Sequence, residues 1–224
     1  HYPWDPQGAM AASKQFTEYL EGLLTERRAA PGDDLLSALS CEEVEGHSLS
    51  DEEIFSFVRV LFPAGADTTY LALGSLMVGL LGAPGRLDSF RGDAEAQAAA
   101  VEETLRWEPP TALLPRMTTE GGEFGGERLG ADTVVLLGIG PANRDPEIFP
   151  DPDRFDPGRK TAGHLAFGLG NHFCLGSHLA RAEMRVALAV LLERLDEIEL
   201  QETPVMEGAV MRGPHRLQLR FSCT

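Results

Sequence analysis

Residues 167–176 read Phe-Gly-Leu-Gly-Asn-His-Phe-Cys-Leu-Gly and place a single cysteine, Cys174, inside a glycine-rich loop. The glycines of this loop are Gly168, Gly170 and Gly176. Glycine reaches positive φ without strain, so we expect the loop backbone to turn tightly and to approach a flat cofactor. Residues 177–195 carry apolar side chains near helical spacing, which predicts a helix directly after the loop. Cys174 is therefore expected beside a helix N-terminus, where backbone N–H groups favour a thiolate.

A loop cysteine of this kind suits axial ligation of a haem iron, since a thiolate donates electron density and promotes O–O cleavage. An isolated cysteine is more often a small packing residue. Here the whole pattern Phe-Gly-x-Gly-x-His-x-Cys-x-Gly, followed by Leu-Ala-Arg at 179–181, resembles the haem-binding signature of the cytochrome P-450 superfamily. The resemblance implies haem b (iron protoporphyrin IX) as cofactor, with Cys174 as the metal ligand. Phe167 and the three loop glycines then bind the cofactor around it.

The segment Ala64-Gly65-Ala66-Asp67-Thr68-Thr69 lies in a long predicted helix, residues 51–82, which begins with a capping box formed by Ser50 and Glu53. Pro63 removes one backbone hydrogen bond, so we expect the helix to open locally there. The resemblance implies that Ala64 and Gly65 face the haem and that Asp67 and Thr68 are catalytic residues that guide protons into a dry pocket. The alternative is that the acid and the alcohol only satisfy a helix break.

Two further motifs match the same family. Arg116 and His172 correspond to residues that bind the haem propionates by charge-assisted hydrogen bonds, although each could also be an ordinary surface residue. Glu103 and Arg106 form a Glu-x-x-Arg pair. In the family such a pair binds an arginine of the following irregular segment, here matched by Arg154, and the role expected of the three is structural.

Composition narrows the class of protein. The 224 residues are 43% hydrophobic and carry a net charge of −16, which argues against a nucleic-acid or anionic-membrane partner. The most hydrophobic region, residues 54–81, is interrupted by Arg59, Pro63 and Asp67, so we interpret it as a core helix and expect no membrane partner. The three cysteines are far apart and form no Cys-x-x-Cys, so a disulfide framework is not expected. A cytoplasmic location agrees best with this pattern.

The predicted fold is mainly α with small β-sheets (α+β). An amphipathic helix is expected at 11–28, further helices at 34–40 and 93–107, and short strands at 111–117, 123–129, 133–139 and 216–221. Residues 141–164 contain five prolines and predict an irregular meander. The resemblance covers residues from about 15 to the end and implies that 1–224 is the C-terminal portion of a single cytochrome P-450 domain whose N-terminal portion is absent.

The function implied is a haem-thiolate monooxygenase that inserts one atom of O2 into a small apolar substrate, with electrons from a ferredoxin-type donor and its reductase. Arg181 and Arg185 could meet such an acidic donor, or could form a solvated helix face. By analogy with family regions, the substrate would contact Leu61, Ala64, Leu113, Leu114 and Val210. Two alternatives remain open: a haem-thiolate isomerase or dehydratase, and a catalytically inert fragment that forms a homodimer through exposed apolar faces.

Overall fold

A computed structural model describes residues 5–44, 46–83 and 87–223. Across these ranges, helices alternate with short antiparallel strand pairs, which confirms the predicted α+β class with predominant helix. The chain divides into two compact units, the first ending at Ala66 and the second beginning at Asp67. Each unit is described by itself, and the single domain expected over 1–224 stays a prediction.

The first unit contains α1 (Pro6–Ala29), α2 (Leu35–Cys41), the strand pair β1 (Glu43–Val44) and β2 (His47–Ser48), and the first half of α3 (Asp51–Leu81). Asp5 caps α1 by accepting the Gly8 N–H, and Asp34 caps α2 by accepting the Ser37 N–H. The core of this unit consists of side chains from α1 and α3: Leu20, Leu24, Ile54 and Phe55.

Helix α3 begins at the predicted capping box. The Ser50 N–H donates to the Glu53 carboxylate at 2.8 Å, and the Glu53 N–H donates back to the Ser50 hydroxyl at 3.3 Å. The local opening of the helix expected at Pro63 is not seen: every residue from Asp51 to Leu81 is helical. A proline removes only the hydrogen bond of its own nitrogen, and on an exposed face water can satisfy the freed carbonyl.

By length and composition alone α3 could cross a membrane, but core helices of globular proteins meet the same criterion. About a third of its most apolar stretch is buried. Its second half contributes Ala72, Leu76, Met77 and Leu80 to the main core of the second unit. This half is therefore the core helix that the sequence predicts.

The second unit is built around α4 (Ala94–Trp107) and α6 (Ser177–Arg194), which pack against each other. Asp93 caps α4 through the Glu95 and Ala96 N–H groups, and the helix ends before Pro109 and Pro110, as predicted. The α6 residues in the core are Met184, Leu188 and Leu192. Leu179, one of the apolar residues whose spacing predicts this helix, is 62% exposed.

Short antiparallel pairs complete this unit: β3 (Leu113–Met117) with β6 (Val134–Gly138), β4 (Gly122–Phe124) with β5 (Glu127–Leu129), β7 (Leu195–Leu200) with β10 (Leu219–Cys223), and β8 (Met206–Glu207) with β9 (Gly213–Pro214). The strand expected over 123–129 is a hairpin, because Gly125 and Gly126 both adopt positive φ and turn the chain. The short helix α5 (Ile139–Ala142) follows β6.

The strand predicted at 216–221 is shifted, since β10 spans Leu219–Cys223. The alternation of Leu217, Leu219 and Phe221 places all three on one face, but only Leu217 and Leu219 pack on the core, whereas Phe221 is about half exposed. The register with β7 shifts between Arg220 and Ser222, and such a bulge moves the next side chain off the buried face.

The meander after α5 is held by a buried ionic network. The Glu103 carboxylate accepts the Nε and Nη2 protons of Arg106, each at 2.7 Å, and both side chains are fully buried. Glu103 also accepts the Asp156 N–H at 2.9 Å and approaches the Arg159 Nε at 3.3 Å. The Glu-x-x-Arg pair therefore binds the meander, as predicted.

The prediction that Arg154 is the third arginine of this network is wrong. The Arg154 side chain is 65% exposed and pairs with Asp156, whereas Arg159 is the arginine that reaches Glu103. Arg154 contributes only its carbonyl oxygen, which accepts from Arg106 at 3.3 Å. Arg159 can reach inward because the chain folds back, so that its guanidinium also donates to the carbonyls of Pro150 and Asp151.

Candidate functional site

Cys174 lies in the loop that leads into α6, two residues before the helix cap at Gly176. Its N–H donates to the Phe167 carbonyl at 2.9 Å, which closes the loop, and its own carbonyl accepts the Ser177 N–H at 3.2 Å. Between these bonds residues Gly170–His172 form a 3₁₀ turn. The predicted position of Cys174 beside a helix N-terminus is confirmed.

The glycines of the loop have different roles. Gly168 and Gly170 have φ of +71° and +70°, so a side chain at either position would be strained. Gly176 has φ of −81°, and the expectation of positive φ there is wrong. A Cβ atom at Gly176 would lie 4.0 Å from the Cys174 sulfur, so this glycine leaves space beside the thiol.

The thiol and its apolar neighbours face outward. Cys174 is exposed, and Leu169, Phe173 and Leu175 are 73%, 49% and 81% exposed. Large apolar side chains clustered around a polar atom typically mark a surface that another apolar body covers. A flat, mostly apolar macrocycle bound through the sulfur would cover this surface, so the residues present fit a haem. Among the described residues no group of three or more His, Cys, Asp or Glu is placed to hold a metal ion.

Phe167 links the loop to the interior. Its ring packs on the main core, with the ring centroid 6.3 Å from that of Phe173 and 6.1 Å from that of His164. The Arg181 guanidinium carbon lies 4.4 Å from the Phe167 ring centroid. The ring is therefore held on several sides, and the role of Phe167 in binding the cofactor stays a prediction.

The start of the loop is anchored by a residue that the sequence did not single out for this role. Asn143 is fully buried, and its side-chain oxygen accepts the Leu165 N–H at 2.6 Å. Its amide nitrogen lies 3.4 Å from the Leu105 carbonyl, and its own carbonyl accepts from Arg106 at 3.0 Å. Asn143 thus joins α4 and the Glu103 network to the cysteine loop.

The two predicted propionate ligands are both solvent-accessible. His172 closes the 3₁₀ turn within the loop and is exposed. Arg116 lies on β3, opposite Val135 of β6, and donates through Nη1 to the Pro115 carbonyl at 2.8 Å. Exposure leaves both side chains able to bind a carboxylate.

The motif on α3 is helical throughout. Asp67 is exposed and Thr68 half-buried, and both belong to the second unit. Ala64 and Gly65 are exposed and belong to the first unit. A Cβ at Gly65 would meet no atom within 4 Å, so packing in this structure does not require glycine there. The loop residues are joined to Phe167 by the Cys174 hydrogen bond and the Phe173 ring contact, and the α3 residues lie along one continuous helix.

A cluster that sequence reasoning missed lies beside Phe167. Glu102 of α4 accepts the Arg181 Nε at 2.5 Å and Nη2 at 3.0 Å, and its Oε2 lies 3.2 Å from the His164 Nε2. Burial raises the pKa of Glu102, but the hydrogen bonds from His164 and Arg181 outweigh it and lower that pKa to about 2. The charge of Arg181 is therefore paired with Glu102 inside the protein. Of the two arginines considered as contacts for an acidic partner, Arg185 is exposed and Arg181 is half-buried.

The fold and the loop together define a class of protein: a mainly helical protein with small sheets that presents one cysteine to a planar cofactor. The cytochrome P450 family model matches residues 97–221. The chain belongs to the cytochrome P450 family, whose members use haem.

Bacterial relatives and solved structures agree with this assignment. The chain is 40% identical to the cytochrome P450 monooxygenase PikC of Streptomyces venezuelae, over 98% of this chain and 54% of PikC. It superposes on CYP109Q5 of Chondromyces apiculatus with a TM-score of 0.91 and 41% identity, over 96% of this chain and 56% of that protein.

CYP109E1 of Bacillus megaterium, solved in complex with testosterone, gives a TM-score of 0.87 at 33% identity, over 96% of this chain and 60% of that one. The chain spans about half the length of the curated relatives it matches.

Proposed function

We propose that the protein is a haem-thiolate monooxygenase that oxidises a small apolar substrate with O2. The observation that carries the proposal is the exposed Cys174 thiol in the loop just before α6, flanked in the sequence by the exposed apolar residues Phe173 and Leu175. Haem bound through a thiolate supplies the activation of O2. The relative PikC is itself a monooxygenase.

The residues of this chain would divide the work as follows. Cys174 binds the iron as a thiolate, and the Phe167 and Phe173 rings exclude water from the sulfur. Arg116 and His172 bind the cofactor carboxylates and thereby orient it. Gly168, Gly170 and Gly176 keep the loop backbone close to the ring.

On α3, Asp67 and Thr68 would hold and transfer protons into the site, since one oxygen atom of O2 enters the substrate and reduction of the other to water consumes two protons. Ala64 and Gly65 present little side-chain bulk, so a ring and a substrate could approach the helix closely. An apolar substrate agrees with the candidate contacts Leu61, Leu113, Leu114 and Val210. Electrons would come from a ferredoxin-type donor and its reductase, with Arg185 as a candidate contact.

An absorption spectrum of the reduced protein under carbon monoxide tests the haem ligand, because thiolate ligation red-shifts the Soret band relative to histidine ligation. We expect the red-shifted band, its loss in Cys174→Ser, and its retention in Cys41→Ser. Cys41 is a matched control, since it is also exposed but lies in α2 of the first unit. A Cys174→Ser protein that keeps the shifted band would contradict the proposed ligand.

A second candidate function is assembly through an apolar surface. Leu179 and Val186 lie at a seven-residue spacing on α6 and are both more than 60% exposed, which is typical of a helix face that packs on another body. The mass of the purified protein in solution separates the two: a haem-containing monomer supports the enzyme, and a colourless dimer supports the assembly module.

A further inference from the structure

The Arg181 cluster, defined as Arg181, Glu102 and His164, joins three parts of the second unit. Glu102 comes from α4, Arg181 from α6, and His164 from the segment that leads into the cysteine loop. The contact between Arg181 and Glu102 is a two-pronged hydrogen-bonded ion pair, at 2.5 and 3.0 Å. Such paired bonds fix both distance and orientation.

The tautomer of His164 follows from its neighbours. The Ala166 N–H donates to Nδ1 at 3.3 Å, so Nδ1 accepts and the ring proton resides on Nε2. Nε2 then donates to Glu102 at 3.2 Å. The His164 side chain is 7% exposed, so this arrangement satisfies both nitrogens of a nearly buried ring.

The cluster reaches Cys174 through Phe167. The Arg181 guanidinium stacks on the Phe167 ring, and the Phe167 carbonyl accepts the Cys174 N–H. Holding the ring restricts the Phe167 side chain and its backbone, and so keeps the carbonyl aligned with that N–H. We propose that the Arg181 cluster is a positioning device that holds the Cys174 loop in its ligand geometry. The ligand role rests on the proposed function, but the loop geometry does not.

Amide exchange of the haem-free chain tests the proposal directly. Labelling only cysteine with ¹⁵N gives three amide signals, from Cys41, Cys174 and Cys223. The signal that disappears in Cys174→Ser belongs to Cys174. Cys41 and Cys223 lie outside the loop and serve as internal references for the exchange conditions, and the urea unfolding midpoint of each variant reports a general loss of stability.

We expect Glu102→Gln and Arg181→Met to accelerate Cys174 exchange about tenfold relative to the two references, equivalent to about 1.4 kcal/mol. Arg181→Lys should give a smaller effect, since it keeps the charge but loses the planar, two-pronged contact. The double variant Glu102→Gln/Arg181→Met should accelerate Cys174 exchange only slightly more than either single variant, because each single change already breaks the same ion pair. Arg185→Met is the matched control: Arg185 lies one turn further along α6, is exposed, donates to the Arg181 carbonyl at 3.2 Å, and should leave the ratio unchanged when replaced.

A Cys174 ratio that stays at its wild-type value in both Arg181→Met and Glu102→Gln would overturn the proposal. The proposal would also be overturned if Arg185→Met raised the Cys174 ratio as much as Arg181→Met does. If Glu102→Gln does not fold, the Cys174 ratio in Arg181→Met decides the question. Because haem is not present in this measurement, failure of the chain to bind haem leaves the outcome unaffected.

Discussion

Replacing Glu103 by glutamine measures how much the buried ionic network stabilises the fold. Compared with variants of Arg154 and Arg159, it also shows which of these two arginines belongs to the network. The carboxylate is fully buried and accepts two protons of Arg106 and the N–H of Asp156. Glutamine keeps the shape but loses the charge, and its NH2 group would face an Arg106 donor. The Arg106 guanidinium would remain fully buried without its counter-ion.

Breaking a buried ion pair by removing one partner costs about 3–5 kcal/mol. Arg106 would keep the carbonyl oxygens of Asn143 and Pro152, at 3.0 and 2.9 Å, which offset part of that loss. We therefore expect the lower end, about 3 kcal/mol. With an m-value of about 2 kcal/mol per molar urea, the unfolding midpoint would fall by about 1.5 M.

Urea titration followed by far-ultraviolet circular dichroism measures this change. Arg159→Gln should give a smaller but clear decrease, because its Nε contact with Glu103 is longer, at 3.3 Å. Arg154→Gln should leave the midpoint unchanged, since that side chain is mostly in solvent. A decrease in Arg154→Gln as large as that in Glu103→Gln would refute the arrangement seen here and restore Arg154 as the third member.

Two further predictions concern packing and pH. Gly79→Ala should lower the melting temperature, because its Cβ would lie 2.7 Å from the Phe155 ring, whereas Gly65→Ala, which meets no atom within 4 Å, should raise stability by up to about 1 kcal/mol. Equal melting temperatures for the two variants would contradict this. The Glu102 pKa of about 2 lies below its ordinary value of 4.5, so its stabilisation is complete above pH 4.5 and is lost as the pH falls towards 2. Glu102→Gln should therefore flatten the decline in unfolding free energy over that window, and an unchanged decline would argue against the pKa shift.

Features that depend on neighbouring residues in the chain could be predicted from the sequence. The capping box at Ser50 and Glu53 set the start of α3, and the prolines after Glu108 marked the end of α4. The cysteine loop was also predictable, because its tight turns need glycine at two positions and its cysteine lies next to the helix. In these cases the interactions join residues only a few positions apart.

Residues that act across the fold could not be identified in this way. Arg154 and Arg159 are both arginines of one irregular segment, and no periodicity indicates which of them turns inward. That choice depends on the folding back of residues 150–159, in which Asp151 adopts a φ of +50°. Glu102 carried no signal of its own beside Glu103, and its partner Arg181 lies 79 positions away.

Helix α6 shows why apolar spacing alone was insufficient at the site itself. Its apolar residues lie on more than one side, so the sequence could not decide whether Leu179 or Met184 would be buried. The structure buries Met184 against the core and leaves Leu179 exposed. Arg181, between them in sequence, extends to Glu102 and Phe167, so the side of α6 that packs on α4 is also the side that reaches the cysteine loop. Packing and loop position are thus set by the same contact, and a variant that loosens α6 on α4 should also loosen Cys174.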